Sequence, residues 1–399
     1  MSNYLIKLIP TGKFFFGGDM TFSVGAKERP KNWNNKSEEE KARISKQIDD
    51  NTRYSSYIIK SEKFPQQTSV LGMLRFLLLQ NTPGLFDKEN NKIVAEKTEV
   101  AEVIGEHSFR ENKGEEIVFG CIKKLSPCFL MNGDTVVTPL PMDYGLETID
   151  LSNSKELAYN DNPIVLGKIV SAIKKGNGKE SEVLYSAKTS LYTRYSNKEC
   201  KPIYDGNEIF IEDQRIGISR NIYTGITEEN ALFKQINYRL ADGFCFAFYA
   251  NIDIDDIDPY NNKVVSLGAD SSQFVIQIKE EEIRDISLPA TNVLVKGGYC
   301  KVVLTSPTLI DKETVKKSDF AITETIPFKY IKTQIDQKES YHRLSGIQHS
   351  EKEELFQTGS VFYFKSKDNA TEFITEIEKH KEFCQIGYNY FQKIDLTTN

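Results

Sequence analysis

The residue types that carry out most hydrolytic chemistry are scarce in this chain: its 399 residues include four histidines, His107, His342, His349 and His380. None stands in an H-E-x-x-H pair or beside a G-x-S-x-G elbow, so neither a metal-activated water nor a serine nucleophile is signalled. His342 and His349 frame the run YHRLSGIQH and offer an acid and a base for phosphodiester cleavage. With no third group to orient them, the plainer reading is a pair of surface or partner-contact histidines. Asp253, Asp255, Asp256 and Asp258 crowd one acidic run but lack the glycine and closing glutamate of a calcium loop, and read as a solvated turn. The six cysteines show no C-x-x-C spacing, which signals neither a zinc site nor a disulfide framework. No catalytic residue, metal or cofactor is expected.

Anion chemistry has better material. In DQRIGISRNIYTGITEENALF, Arg215 to Ile218 alternate as a strand, Arg220 follows, and Thr224-Gly225 breaks the run. Arg215 and Arg220, five apart, face opposite sides of a regular strand, and an extra residue at Gly217 would bring them to one side. The planar guanidinium suits a phosphate, and a Thr-Gly turn adds free N–H groups. The competing reading is an ordinary surface pair of Arg215 with Glu212 or Asp213. Further candidates are Lys13 with the glycines Gly17 and Gly18, Gly72 and Arg75 on a helix, and Tyr192, Arg194 and Tyr195, which interleave aromatic and basic side chains. The lysines and glycines of KKGNGK (174–179) do not fit a phosphate-loop spacing and read as a loop.

The elements that must position these residues are mostly strands. Tyr4 to Ile9 alternate; Glu116 to Ile122, Thr135 to Thr138, Phe244 to Ile252, Phe274 to Ile278, Cys300 to Leu304, Ser360 to Phe364 and Ile386 to Phe391 are rich in aromatic and β-branched residues. A helix follows Pro65, capped by Thr68 or Ser69 and apolar nearly all round, which predicts burial against a sheet. A second helix spans Ala370 to Lys379, with a capping box of Asn369 and Glu372. Residues 27–51 are polar and charged without an apolar face and read as a solvated insertion. The length allows about two domains, drawn at 1–230 and 231–399, and the fold class is α+β. A net charge of −6 excludes an indiscriminate polyanion binder, so any nucleic-acid site must be a local basic patch. No signal peptide or membrane-length apolar run is visible, so a cytoplasmic protein is expected.

Several separated blocks resemble the third-subunit family of the type III-B CRISPR effector, the Cmr complex, within the RAMP superfamily: FFFGG (14–18), FPQQTSVLGMLR (64–75), RIGISRNIYTGITEENALF (215–233), SLGADSSQFVI (266–276), TGSVFYF (358–364) and IGYNYF (386–391). The chain departs from the family at Gly17-Gly18-Asp19, where many members have Arg-Asp-Gly, and at Ala269, which replaces a second glycine. The resemblance implies two ferredoxin-like (RRM-like) RAMP domains with insertions, no nuclease activity, and a place at the base of a ribonucleoprotein holding the 5′ tag of the CRISPR RNA. It implies as partners the large cyclase-like subunit and a backbone RAMP subunit, with target RNA touched only indirectly. The equivalent subunit of the type III-A Csm complex, a RAMP endoribonuclease using His342 or His349, and a purely structural adaptor are the alternatives.

Overall fold

The computed structural model describes residues 2–17, 20–25, 37–41, 54–112, 114–146, 148–152, 158–159, 162–163, 168–169, 185–186, 191–194, 203–220, 227–270, 272–284, 286, 288, 291–333 and 348–396; of 20–25, 54–57, 158–159, 162–163, 168–169, 185–186, 218–220, 227–233 and 348 it describes the backbone alone. It is a mixed α/β protein, mostly strand.

The first half is organised around β1 (Ser2–Pro10), whose side chains alternate between two interiors. Tyr4, Ile6 and Leu8 enter the main core. Leu5 enters a smaller one on the opposite face, together with Phe129, Met131, Ala247 and Tyr249. Both faces of the strand are therefore covered, and period-two alternation of two apolar sets is what such a central strand requires. Next come α1 (Gln67–Asn81) and α2 (Lys97–Ile104), then β2 (Phe129–Asn132) and β3 (Thr135–Pro139). A long hairpin of β4 (Phe210–Arg220) and β5 (Thr227–Leu240) leads into β6 (Phe244–Ile252) and β7 (Gln273–Glu280). In the sheet the order is β3-β2-β6-β1-β7, antiparallel throughout. Taking β1, β2, β6 and β7 as first to fourth, their order is fourth, first, third, second.

The second half repeats that order. β8 (Cys300–Leu304), α3 (Lys312–Val315), β9 (Phe320–Ile322), β10 (Val361–Phe364), α4 (Lys367–Glu378) and β11 (Phe391–Asp395) form a sheet ordered β11-β8-β10-β9. One face is packed by α3 and α4 through Val315, Ala370, Phe373 and Ile377. The other is packed by 142–151 and by Leu288 and Val293. The boundary expected between 230 and 231 falls inside β5, and β6 beyond it pairs with β1.

The halves interlock. Phe328, Tyr330, Leu355, Phe383 and Tyr388 of the second half enter the core of the first. The backbone N–H of Gln67 at the start of α1 has no side-chain cap from Gln66 and donates instead to the Tyr388 hydroxyl at 3.0 Å. Gly387 (φ +95°) allows this approach, because a Cβ there would lie 2.1 Å from Gln67 Nε2 and 2.5 Å from the Ser126 carbonyl oxygen. A deeper tie is the buried Lys301 ammonium, 2.8 Å from Asp143 Oδ2 and 2.6 Å from Thr291 Oγ1, with the Tyr363 hydroxyl donating to the same Asp143 oxygen at 2.6 Å.

Several local expectations are corrected. α1 is not buried all round: Ser69, Gly72 and Phe76 form an exposed face, since only the side toward the sheet is covered. The C-terminal helix is capped by Ser366, one turn before Asn369. Glu116 to Ile122 is mostly loop, and the strand runs Ile122–Leu125. Ile386 to Tyr390 is the interlocking loop, with the strand beginning at Phe391. Of the charged insertion only 37–41 are described, a single turn with Lys41 bonded to Glu38 at 2.7 Å.

Candidate nucleic-acid interface

A cleft of about 950 Å³ lies between the halves. It is walled by 60–67, by 124–129 with Thr138 and Tyr192, by Ile283, Arg284, Ile286 and Leu288, and by 324–328, Leu355, Gln357, Thr358, Tyr388 and 390–392. Four cations line it, Lys60, Lys63, Lys124 and Arg284, against two carboxylates, Glu62 and Glu324. On a chain of net charge −6 this is a local reversal of sign.

The four cations differ in how they are neutralised. Lys60 donates to Glu212 at 2.7 Å, and that bond raises its pKa. Arg284 bonds Glu281 at 2.6 Å. Lys63 has no ion pair among the described residues; its ammonium lies 5.5 Å from the centroid of Phe210, and burial, then the charge of Lys60, hold its pKa below the ordinary lysine range. Lys124 likewise has no carboxylate partner among the described residues and sits 5.6 Å from the centroid of Tyr390, whose own pKa burial pushes up. Lys63 is half-buried and Lys124 exposed; each ammonium over its ring keeps its net charge, and a bound anion would supply a counter-charge.

The structure sorts the residues expected from sequence into three groups. Lys13 and Gly17 lie at the edge of the cleft, Lys13 3.7 Å from Asp213 on β4 and Gly17 accepting at 2.7 Å from the N–H of the cleft residue Glu62, while Arg215 sits mid-strand on β4, paired with Gln235. Arg215 is exposed and forms no ion pair with Glu212 or Asp213, which are engaged by Lys60 and Lys13. The irregularity in the hairpin falls between Ile218 and Arg220 and not at Gly217, which pairs in register with Phe233. Tyr192 lines the cleft wall, buried against Phe210, with its pKa raised by burial. Arg194, on the same strand, is exposed. Elsewhere, Arg75 donates to the carbonyl oxygens of Ile104 (2.6 Å) and Gly105 (3.1 Å), closing the C-terminus of α2, and Gly72 faces open space on α1. Gly18, Thr224, Gly225 and Tyr195 lie outside the described residues, as do His342 and the loop at 174–179.

Sequence reasoning missed Lys60, Lys63, Lys124 and Tyr390. The signal available for the first two was KSEKFP, two lysines three apart before the proline that opens α1; nothing local marks the others. No described histidine lines the cleft, no group of described His, Cys, Asp or Glu could hold a metal ion, and no described helix is long and apolar enough to cross a membrane.

Two antiparallel sheets of like strand order flank a basic, aromatic cleft in a protein of the mixed α/β class. A family model described as CRISPR-associated protein (Cas_Cmr3) matches residues 55–392, and the chain belongs to that family. No curated protein matches it. Among solved structures, a chain of a type III-B Cmr-β complex bound to cognate target RNA is 15% identical, covering 99% of this chain and 97% of that one, with a TM-score of 0.46. A chain of the same type of complex bound to target RNA and AMPPnP is 13% identical, covering 98% and 96%, with a TM-score of 0.45. A chain of a Csm3-Csm4 subcomplex of the type III-A interference complex is 11% identical, covering 91% and 97%, with a TM-score of 0.31.

Proposed function

We propose that this chain is a non-catalytic RNA-binding subunit of a type III-B CRISPR effector, holding the 5′ tag of the CRISPR RNA and bridging the large cyclase-like subunit to the backbone. The observation that carries this reading is the pair of lysines without carboxylate partners among the described residues, Lys63 and Lys124, in a cleft lined by aromatic rings. Single-stranded RNA offers what such a cleft accepts, phosphates for the ammonium groups and base faces for the rings. Arg215 and the hairpin would extend the contact outward along the backbone. In this reading each half is a ferredoxin-like domain, the first ending at β7 and the second running from β8 to β11; the fourth-first-third-second strand order in both sheets supports it.

The test is the affinity of the full chain for single-stranded repeat-derived RNA across salt concentrations. Lys63→Met and Lys124→Met should each flatten the slope of log affinity against log salt by about 0.7, the value for one phosphate contact on a single strand. Unchanged slopes in both variants would move the RNA surface off the cleft. Incubation with repeat RNA should leave it intact; cutting that His349→Ala abolishes would favour the processing enzyme.

A further inference from the structure

Lys63 differs from the other cleft cations in what its nitrogen is free to do. Lys60 gives its ammonium to Glu212 at 2.7 Å, and the Arg284 guanidinium, bonded to Glu281, stays protonated and is no nucleophile. Lys124 is exposed to water. Lys63 is half-buried on the cleft wall, with no ion pair among the described residues, and its nitrogen stands 5.5 Å from the centroid of Phe210. Phe210 is 1% exposed and packs with ring centroids 5.8 Å from Phe64 and 6.1 Å from Tyr192, so the ring beside the amine is fixed. Two effects then act against the charged form and lower its pKa: burial, and next the charge of Lys60, three positions earlier in the chain. Asp205, Glu212 and Glu324 oppose them, each more weakly. An apolar surface beside a neighbouring cation turns a lysine from a surface charge into a nucleophile, because the neutral amine is the form that attacks.

We propose that Lys63 is a modification site, acylated by an acyl phosphate, and that its acylation switches off a phosphate contact of the cleft. The switch rests on the RNA-binding reading above; the reaction of Lys63 with an acyl donor does not. The cleft, about 950 Å³ in volume, gives the donor access to the amine. Acyl phosphates are the donor class because their anionic phosphate is drawn to the cations on the cleft walls. In the step itself the neutral Nζ attacks the carbonyl carbon. A C–N bond forms, the C–O bond to phosphate breaks, phosphate leaves with the electron pair, and the extra proton on nitrogen passes to water. Nothing is oxidised or reduced. The amide carries no charge, so the side chain loses its attraction for RNA phosphate. It also suits its surroundings better than the ammonium did, because burial and repulsion from Lys60 no longer act against it.

The experiment treats the full chain with a low dose of acetyl phosphate and reads the occupancy of each lysine by peptide mass spectrometry. Lys63 should be acetylated severalfold faster than Lys60, Lys124 and the exposed Lys296 of the second half, and repeat-derived single-stranded RNA should protect it. Its rate should reach a plateau at lower pH than the rate at Lys60, whose bond to Glu212 raises the pKa. Lys63→Gln, which mimics the amide, should melt above the native chain near neutral pH. That gap should close as pH rises through the lowered pKa of Lys63 toward the ordinary lysine value, because the folded chain binds this proton less tightly than the unfolded one. Acetylation should flatten the salt slope of RNA binding by about 0.7. Lys63→Arg carries no acylatable amine, and its RNA affinity, whatever its level, should be unmoved by the same dose. Acetylation of Lys63 no faster than that of Lys124 and Lys296 would overturn the modification site and leave the RNA cleft standing. Selective acetylation of Lys63 with an unaltered salt slope and no protection by RNA would overturn the RNA reading of the cleft, and the switch with it.

Discussion

Two cations, Arg75 expected from sequence at the RNA surface and Lys63 missed by it, meet opposite fates, and the difference is one of partners. Arg75 places two N–H groups on the last carbonyls of α2, where a positive charge also suits the negative end of the helix. Arg75→Ala should therefore cost about 2 kcal/mol of stability, read as a lower midpoint in denaturant, with the salt slope of RNA binding unchanged; a changed slope at native stability would return Arg75 to the interface. Lys63 has no such commitments. A second residue-scale case is Glu353, whose pKa is raised by burial and then by the carboxylate of Glu111, with Glu351 nearby raising it and Lys332 opposing. Glu111 also accepts from the Tyr330 hydroxyl at 3.1 Å, so the pair fastens the loop before residue 112 to the strand Glu353–Phe356 that forms part of the cleft wall. The sign follows from the raised value. The folded chain holds this proton more tightly than the unfolded one, so the contribution is complete below the ordinary glutamate pKa and is lost as pH rises through the folded pKa. Glu353→Gln keeps a donor toward Glu111 and cannot ionise. Its melting temperature should match the native chain in acid and exceed it increasingly toward pH 8, and a constant difference across pH would show that Glu353 is not the titrating group.

At the scale of elements, period and composition placed most of what local sequence controls. β1, β6, β7, β8, β10 and the helix after Pro65 are where alternation and β-branched or helix-forming residues put them, because each buries its apolar residues on one or both faces. Misplacements occurred where a distant residue does the work of a neighbour. The N-terminus of α1 is satisfied by Tyr388, 321 positions away, so no Thr68 or Ser69 cap was required. IGYNYF reads as a strand by its aromatics, yet Gly387 at positive φ and Asn389, whose carboxamide bonds the Leu309 N–H and the Ile377 carbonyl oxygen, make it a loop between halves. Tyr388→Phe removes one acceptor from a buried helix start and should cost about 1 kcal/mol. Gly387→Ala must push backbone apart and should cost several times more, roughly 3 kcal/mol or above. Comparable, small losses in thermal or denaturant unfolding would mean that the loop has room the geometry does not show.

At the scale of the whole molecule, little was legible in advance, and the reason is physical. In the first sheet β1 pairs with β6 and β7 across more than two hundred residues, and they return to it only after the hairpin, so composition placed the boundary inside β5. The cleft draws its walls from several separated segments, and a lysine becomes informative only when its place on those walls and the lack of a nearby carboxylate are known together. The same long-range construction predicts how the chain unfolds. Lys301 is 3% exposed and Asp143 fully buried, one on β8 and the other on a loop that follows β3, so this ion pair joins the halves well away from solvent. Replacing one partner leaves the other charged and buried, which costs about 3–5 kcal/mol, whereas replacing both with apolar side chains of similar volume is often near neutral. Asp143→Leu alone should thus lower stability severely, and the double variant Asp143→Leu with Lys301→Met should recover most of the loss. Because side chains of the second half sit inside the core of the first, both variants should still unfold in a single cooperative step by calorimetry. Two separate transitions in the single variant would show instead that the buried pair, more than the shared core, makes the halves one folding unit.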